Sequence, residues 1–116
     1  MFEQTKLSYA YNALEPYIDA LTMETHYSKH HATYTKNLND VAEKAGIVGK
    51  PIEDVLAQWK KSAAEDTKTA VRNNGGGYYN HNLYFDHLSP KGGGEPRGIL
   101  AEKIQETFST FADFKA

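Results

Sequence analysis

The sequence of 116 residues contains no cysteine, no cluster of basic residues and no long apolar run. Without thiols it can form no disulfide and no cysteine-ligated zinc or iron–sulfur site, so a bound metal must take nitrogen and oxygen ligands. The net charge is −2, with lysines scattered among acidic residues, which argues against binding to nucleic acid or to an anionic membrane. No segment reaches the ~18 apolar residues of a membrane span, and the N-terminus lacks an export signal. We therefore expect a cytoplasmic protein that binds neither nucleic acid nor membranes.

Histidine is concentrated in two dense segments. The first runs from His26 through His30 and His31 to Tyr34, and the second ends at His81, about fifty residues later. If the first segment is helical, His26, His30 and Tyr34 recur at intervals of four residues and line one face of the helix. The two segments together suggest one shared site.

The first segment lies inside a predicted long helix. Asp19 is suited to cap the N-terminus of this helix and Gly46 to end it. A helix of ~26 residues would be roughly 39 Å long, which suggests one arm of a hairpin. Residues 1–18 are predicted to be an irregular strap over the core. The inward stripe of the helix, with steps of three and four, comprises Met23, Tyr27, His30, Tyr34, Leu38, Val41 and Ala45.

A short helix within residues 47–61 should connect this arm to a second one. Pro51 is suited to its first position, and Ile52, Val55, Leu56 and Trp59 would face inward. The second arm is predicted to begin at Ser62, where Ser62-Ala63-Ala64-Glu65 matches a capping box, and to end at Ser89-Pro90.

Three consecutive glycines, Gly75-Gly76-Gly77, lie in the middle of this second arm. Each costs about 1 kcal/mol relative to alanine in a helix interior. The Asn-Gly pair at their start also suits a hairpin turn, but residues 63–72 do not alternate as a strand would. We retain the helix, in which glycines would be useful if another backbone or a bulky side chain approached closely.

Residues 90–98 contain four glycines and two prolines and are predicted to be a linker. We expect a first domain over residues 1–89 and the start of another over 90–116. Ser109 or Thr110, with Asp113, would cap a new helix close to the end of the sequence. Its aromatic residues would leave apolar surface without a partner, so we expect the chain to be cut short. The short helical stripe of this region comprises Ile99, Leu100, Ile104 and Phe108, followed by Phe111 and Phe114.

Two histidines on facing helices can offer imidazole nitrogens to a first-row transition metal. A stable redox site needs three or four protein ligands, so His26 and His81 would need others. The remaining candidates nearby are His30, His31, His87 and Asp86, and their spacing alone makes no good set. The alternative is that the histidines are packed or surface residues and that Tyr34 and Tyr84 are core aromatics.

From Leu7 to Ala116 the sequence resembles the N-terminal half of the iron/manganese superoxide dismutase family. The supporting segments are Tyr9 to Pro16, His26 to Tyr34, Ala70 to Gly77, Asn80 to Leu83, Ser89-Pro90 and Gly92 to Pro96.

The resemblance implies an all-α chain: a long antiparallel helical hairpin followed by the first short helices of a truncated α/β domain. It implies that His26 and His81 are metal ligands and that His30 and Tyr34 line the entrance, with Tyr34 linked to proton delivery. An Asp-x-Trp-x-His segment that carries the family's other two ligands is absent. Gly77 favours manganese over iron, since iron-type members commonly have glutamine there, and would leave room for a glutamine from the second domain. Where manganese-type members often have Phe-Trp, this chain has Tyr84-Phe85.

The implied activity is dismutation of superoxide to dioxygen and hydrogen peroxide by a redox-active manganese or iron ion. We expect the 116-residue chain alone to bind metal weakly and to be a poor enzyme, and to need a homo-oligomer or the missing C-terminal domain. The alternative function is a non-enzymatic hairpin fragment that self-associates through Phe108, Phe111 and Phe114 and binds metal only adventitiously.

Overall fold

The computed structural model describes residues 1–62 and 64–116, apart from the side chain of Ser62. The capping box predicted at Ser62-Ala63-Ala64-Glu65 therefore lies outside the described residues. Within them the chain is helical or irregular and contains no strand. The helices are α1 (Ala20–Thr25), a π-helical turn (His26–His31), α2 (Ala32–Ala42), α3 (Ile52–Ser62), α4 (Lys68–His87), α5 (Gly98–Phe108) and α6 (Phe111–Lys115), with 3₁₀ turns at Tyr11–Leu14 and Glu65–Thr67.

The predicted helical hairpin is confirmed. One arm consists of α1, the π-helical turn and α2 in succession, and the other is α4, which packs against α2 and α3. Apolar side chains from all three contacting helices fill the space between them. The buried members of this cluster are Leu38, Ala42, Ala45, Ile47, Val55, Val71 and Tyr78.

The predicted ends of the arms need two corrections. Asp19 caps the first arm by accepting a hydrogen bond from the Thr22 N–H at 2.9 Å, as predicted, but the helix ends at Ala42 rather than near Gly46. Residues 43–46 instead form a turn in which Gly46 has a positive φ of 66°. The second arm begins at Lys68 rather than Ser62, because α3 continues through Ser62 and a 3₁₀ turn follows.

The predicted inward stripe of the first arm is wrong at His30, which is exposed, whereas His31 is fully buried. The reason is the π-helical turn from His26 to His31, whose wider winding accommodates one extra residue. After the turn, Thr35 and Ala42 are buried where the predicted stripe had Tyr34 and Val41, whereas Leu38 and Ala45 are buried as predicted.

Residues 1–18 lie as an irregular strap across the hairpin, as predicted. The Tyr27 hydroxyl donates a hydrogen bond to the Thr5 carbonyl at 2.7 Å. From the other arm, the Tyr78 hydroxyl donates to the Glu3 carbonyl at 2.8 Å. The strap thus connects both arms at the level of the histidines.

After α4, residues 88–97 lead without helix to α5 and α6, which pack on each other. Thr110 caps α6 by accepting from the Asp113 N–H at 3.0 Å, as one of the two predicted caps. On α5 only Ile104 is buried, whereas Ile99 and Leu100 are exposed. The division into domains 1–89 and 90–116 stays a prediction.

None of the described helices is long and apolar enough to cross a bilayer.

Candidate metal centre

The two histidine segments meet where the π-helical turn faces α4. The ring centroids of His26 and His81 are 4.8 Å apart, with an interplanar angle of 73°. Both side chains are half-buried. A shared site was expected from the sequence, and the hairpin brings its two proposed ligands into contact.

One hydrogen bond determines which nitrogen of His81 is free. Its Nδ1 lies 2.7 Å from the Gly77 carbonyl oxygen, one helical turn earlier. A carbonyl oxygen can only accept, so the neutral ring must carry its proton on Nδ1 and keep its lone pair on Nε2. Such a bond to a backbone carbonyl is the usual way to fix the tautomer of a metal-binding histidine. His81 therefore has the tautomer required for a ligand through Nε2.

The environment of His26 also favours a neutral imidazole. Burial lowers its pKa below 6.5, and repulsion from charged forms of His81 and His30 lowers it further. A lower pKa keeps a lone pair available on the ring at neutral pH, which metal binding requires.

Tyr34 lies over Gly77, directly beside His81. A Cβ added at position 77 would come within 2.3 Å of Tyr34 Cδ1, and the Tyr34 ring centroid is 5.1 Å from that of His81. The expected close approach of a bulky side chain to the glycine run therefore occurs at Gly77. The space above its Cα is filled by Tyr34 of this chain, not left open for an incoming glutamine.

His30 is exposed and contacts the site only through His26, at a ring-centroid distance of 6.0 Å. It lines an open surface groove with His26, Thr25, Thr22 and Leu21. One side of His26 thus borders solvent in this groove. The predicted role of His30 at the entrance is not tested by this placement and stays a prediction.

Two aromatic side chains of α4 form a wall beside His26. The ring centroids of Tyr84 and Phe85 are 5.0 and 5.1 Å from that of His26. Phe85 is buried, and its backbone carbonyl accepts a hydrogen bond from the Tyr9 hydroxyl of the strap at 2.8 Å. The Tyr84-Phe85 pair therefore contacts the proposed ligands directly.

Sequence reasoning missed His31, which it treated only as one of several surplus histidines. Its ring is fully buried and packs on those of His81 and Phe85, with centroid distances of 5.4 and 5.7 Å. Burial, followed by repulsion from a charged His81, lowers its pKa to about 4. Neither ring nitrogen makes a well-formed hydrogen bond, but an interaction with the Asn82 side chain opposes part of the pKa lowering. The sequence spacing did not decide this position, because steps of three and four from Tyr27 reach His30 and His31 alike.

The donor chemistry fits two ligands of a manganese or iron site, but not a complete set. Imidazole nitrogen suits both metals in combination with oxygen ligands. Among the residues that the structure describes, no group of three or more His, Asp or Glu side chains is placed to hold one ion. His26 and His81 could thus form one side of a site whose other ligands lie elsewhere.

Comparison with known proteins connects this arrangement to one family. The family model described as iron/manganese superoxide dismutases, alpha-hairpin domain, matches residues 1–89. A superoxide dismutase [Mn] of Listeria innocua is 49% identical over 115 residues, covering 98% of this chain and 56% of that protein. A superoxide dismutase [Mn/Fe] of a Methylomonas species is 48% identical over 109 residues, covering 94% of this chain and 54% of that protein.

An iron-type relative is similarly close. The superoxide dismutase [Fe] of Raoultella planticola is 46% identical over 114 residues, covering 98% of this chain and 66% of that protein. The chain spans about half the length of the first two relatives. The similarity therefore extends over nearly the whole chain but over only part of each relative.

Proposed function

The chain belongs to the iron/manganese superoxide dismutase family, and on that basis we propose that it supplies two ligands of a manganese or iron centre that dismutates superoxide. In this reaction one superoxide ion is oxidised to dioxygen, and another takes up one electron and two protons to give hydrogen peroxide. The bound metal would pass the electron from one superoxide ion to the other. The observation that carries the proposal is the contact between His26 and His81 across the hairpin.

In this proposal His26 and His81 hold the metal through imidazole nitrogens. The Gly77 carbonyl supports this role, because it keeps the proton of His81 on Nδ1 and leaves Nε2 bare. The buried wall formed by Phe85 keeps water away from one side of His26. A partly dehydrated site strengthens the electrostatic interactions on which binding of the superoxide anion depends.

Tyr34 is the proposed proton donor, acting at its phenolic oxygen. Its ring is held over Gly77 and beside His81, so the hydroxyl belongs to a side chain already ordered at the site. We place His30 at the entrance, since it is exposed and lies in the same groove as His26.

Manganese is the proposed preferred metal, with iron as the alternative. The support is Gly77: a glutamine there would have to displace the Tyr34 ring. Relatives with manganese, iron or either metal in their names have comparable identity, so the preference rests on this position. The cytoplasmic location stays a prediction.

Activity requires ligands that these residues do not provide, and we propose that a C-terminal domain or a second copy supplies them. Phe108 and Phe114 are both exposed on α5 and α6, which also supports the alternative of a fragment that self-associates. Sedimentation velocity combined with an activity assay separates the two. The alternative predicts a stable homo-oligomer that is inactive, whereas ligands supplied by a second copy would give an active one.

The test is superoxide dismutation by the manganese-loaded chain, alone and mixed with the C-terminal part of the Listeria innocua relative. We expect little activity alone and a large gain on mixing, which His26→Ala or His81→Ala abolishes. His87→Ala is the matched control, because His87 also bonds a helix carbonyl through Nδ1 but is exposed on α4. Full activity after loss of either His26 or His81 would refute the proposal.

A further inference from the structure

We propose that His31 is a positioning residue for His81: its ring plane holds the His81 imidazole in the orientation that directs Nε2 towards the space beside His26. This inference rests on the proposed function in one respect, namely that His81 is a ligand. It assigns a role to a side chain that contacts the candidate ligand without being placed to share a metal with it.

The geometry of three rings supports the proposal. His31 is nearly parallel to His81, with an interplanar angle of 28°, and to Phe85, with an angle of 15°. The centroids of His81 and Phe85 are themselves 6.4 Å apart, so all three rings are in mutual contact. No group of three or more His, Asp or Glu side chains in the part of the chain that the structure describes is placed to hold one ion, so His31 does not complete a site with His26 and His81. His31 therefore acts on His81 by packing rather than as a further ligand.

The surroundings of His31 make it a rigid support. Its ring also contacts those of Tyr27 and Tyr78, at centroid distances of 5.9 and 6.1 Å. Both tyrosines are fixed through their hydroxyls to carbonyls of the strap, at Thr5 and Glu3. A ring enclosed in this way has little freedom to rotate, and the same holds for a ring packed against it.

A second observation concerns the two nitrogens of His31, which are buried without a well-formed hydrogen bond, Asn82 being a nearby polar side chain that interacts with the ring. Burying a poorly paired polar group is costly, so simple filling of the core would favour an apolar side chain here. The π-helical turn that brings His31 inward is also a rare feature, found frequently at functional sites. The buried nitrogens and the π-helical turn both favour a role for the His31 ring itself, beyond filling volume in the core.

The hydrogen bond from His81 Nδ1 to Gly77 cannot alone determine the ring orientation. It restrains one edge of the imidazole, whereas rotation about the Cβ–Cγ bond is limited by what packs on the two faces. The interplanar angle between Tyr34 and His81 is 43°. The angle between His31 and His81 is 28°. The contact closest to parallel comes from His31, so loss of that ring plane should release His81 most.

The test compares His31→Phe with His31→Leu in the metal-free chain. Phenylalanine keeps a ring plane, although the ring is larger than imidazole, and removes the two nitrogens, whereas leucine is apolar and fills the site without a ring plane. Long-range ¹H–¹⁵N correlation spectra report which nitrogen of His81 carries the proton. We expect wild type and His31→Phe to show a single Nδ1-protonated form and His31→Leu to show a mixture. Circular dichroism and thermal unfolding establish that each variant is folded.

Cobalt(II) titration provides the second measurement. We expect His31→Leu to weaken Co(II) binding about tenfold and His31→Phe by no more than about threefold, in line with other residues that orient metal ligands. A folded His31→Leu variant with the wild-type His81 tautomer would overturn the proposal, as would a folded His31→Phe variant with mixed tautomers. If leucine prevents folding, the phenylalanine variant decides.

Failure of the positioning role can be distinguished from failure of the proposed function. If Co(II) binding is unaffected by His26→Ala and His81→Ala, those residues are not the ligands, and the proposed function fails. The tautomer of His81 in the metal-free chain still tests whether His31 positions its ring.

Discussion

The ring of Tyr34 lies directly on Gly77, so that a Cβ at position 77 would come within 2.3 Å of Tyr34 Cδ1. Gly76, the preceding residue, has no such neighbour within 4 Å of its Cβ position. A side chain at position 77 would therefore clash with Tyr34, whereas position 76 has space for one. This contrast explains why a costly glycine persists in α4 at position 77.

We predict opposite effects for Gly77→Ala and Gly76→Ala. Gly77→Ala should destabilise the chain by about 1 to 3 kcal/mol, because the rigid Tyr34 ring must move. Gly76→Ala should stabilise it by about 0.5 to 1 kcal/mol, since alanine loses less conformational entropy in a helix. Urea unfolding measures both values. Equal effects of the two substitutions would show that Tyr34 does not occupy the space over Gly77.

The stability of the metal-free chain should depend on pH through His31. The His31 pKa is about 4 when folded and 6.5 in the reference state, so between these values the unfolded chain binds a proton that the folded chain does not. The free energy of unfolding therefore falls as pH decreases, by up to about 1.4 kcal/mol per pH unit. Above pH 6.5 this contribution is complete. His26, whose pKa is also lowered, adds to the same trend.

The control for this pH dependence is His31→Phe, which cannot be protonated. Urea unfolding of both proteins from pH 7.5 to 4.5 should give a smaller slope for the variant. Other titrating groups affect both proteins alike, so only the difference between the slopes is interpreted. Parallel slopes would mean that His31 is protonated as readily in the folded chain as in the unfolded one.

The strap should lose stability when its hydroxyl contacts are removed. Tyr78→Phe deletes the bond to the Glu3 carbonyl and should cost about 1 kcal/mol, the usual net value of one hydrogen bond. Tyr79→Phe is the adjacent control, since Tyr79 is only half-buried and makes no comparable strap bond. Amide hydrogen exchange of residues 2–9 should accelerate in the first variant only. Unchanged exchange after Tyr78→Phe would show that this bond does not hold the strap.

Much of the hairpin could be predicted because apolar periodicity and capping residues are local signals. Asp19 caps the first arm as predicted, and the helix continues through the glycine run of α4. The start of the second arm was misplaced because Ser62 belongs to the end of α3. Caps indicate that a helix can begin at a residue, but tertiary packing decides whether it does.

The candidate site could be predicted only in part, and the π-helical turn explains why. The pairing of His26 with His81 follows from the hairpin itself, whichever winding the first arm adopts. Which of His30 and His31 faces inward depends on one extra residue in a single turn. Helical steps of three and four allow either residue; the predicted stripe took His30, whereas the structure buries His31.

The central claim is that His26 and His81 bind one metal ion together. Its most direct test is Co(II) titration of the wild-type chain, His26→Ala, His81→Ala, the double variant and His87→Ala. Co(II) is a suitable probe because such sites bind it more tightly than Mn(II) or Fe(II). If the claim is correct, each single substitution weakens binding about tenfold or more, the double variant is little worse than either, and His87→Ala matches wild type. Independent, additive losses, or wild-type affinity in either single variant, would contradict it.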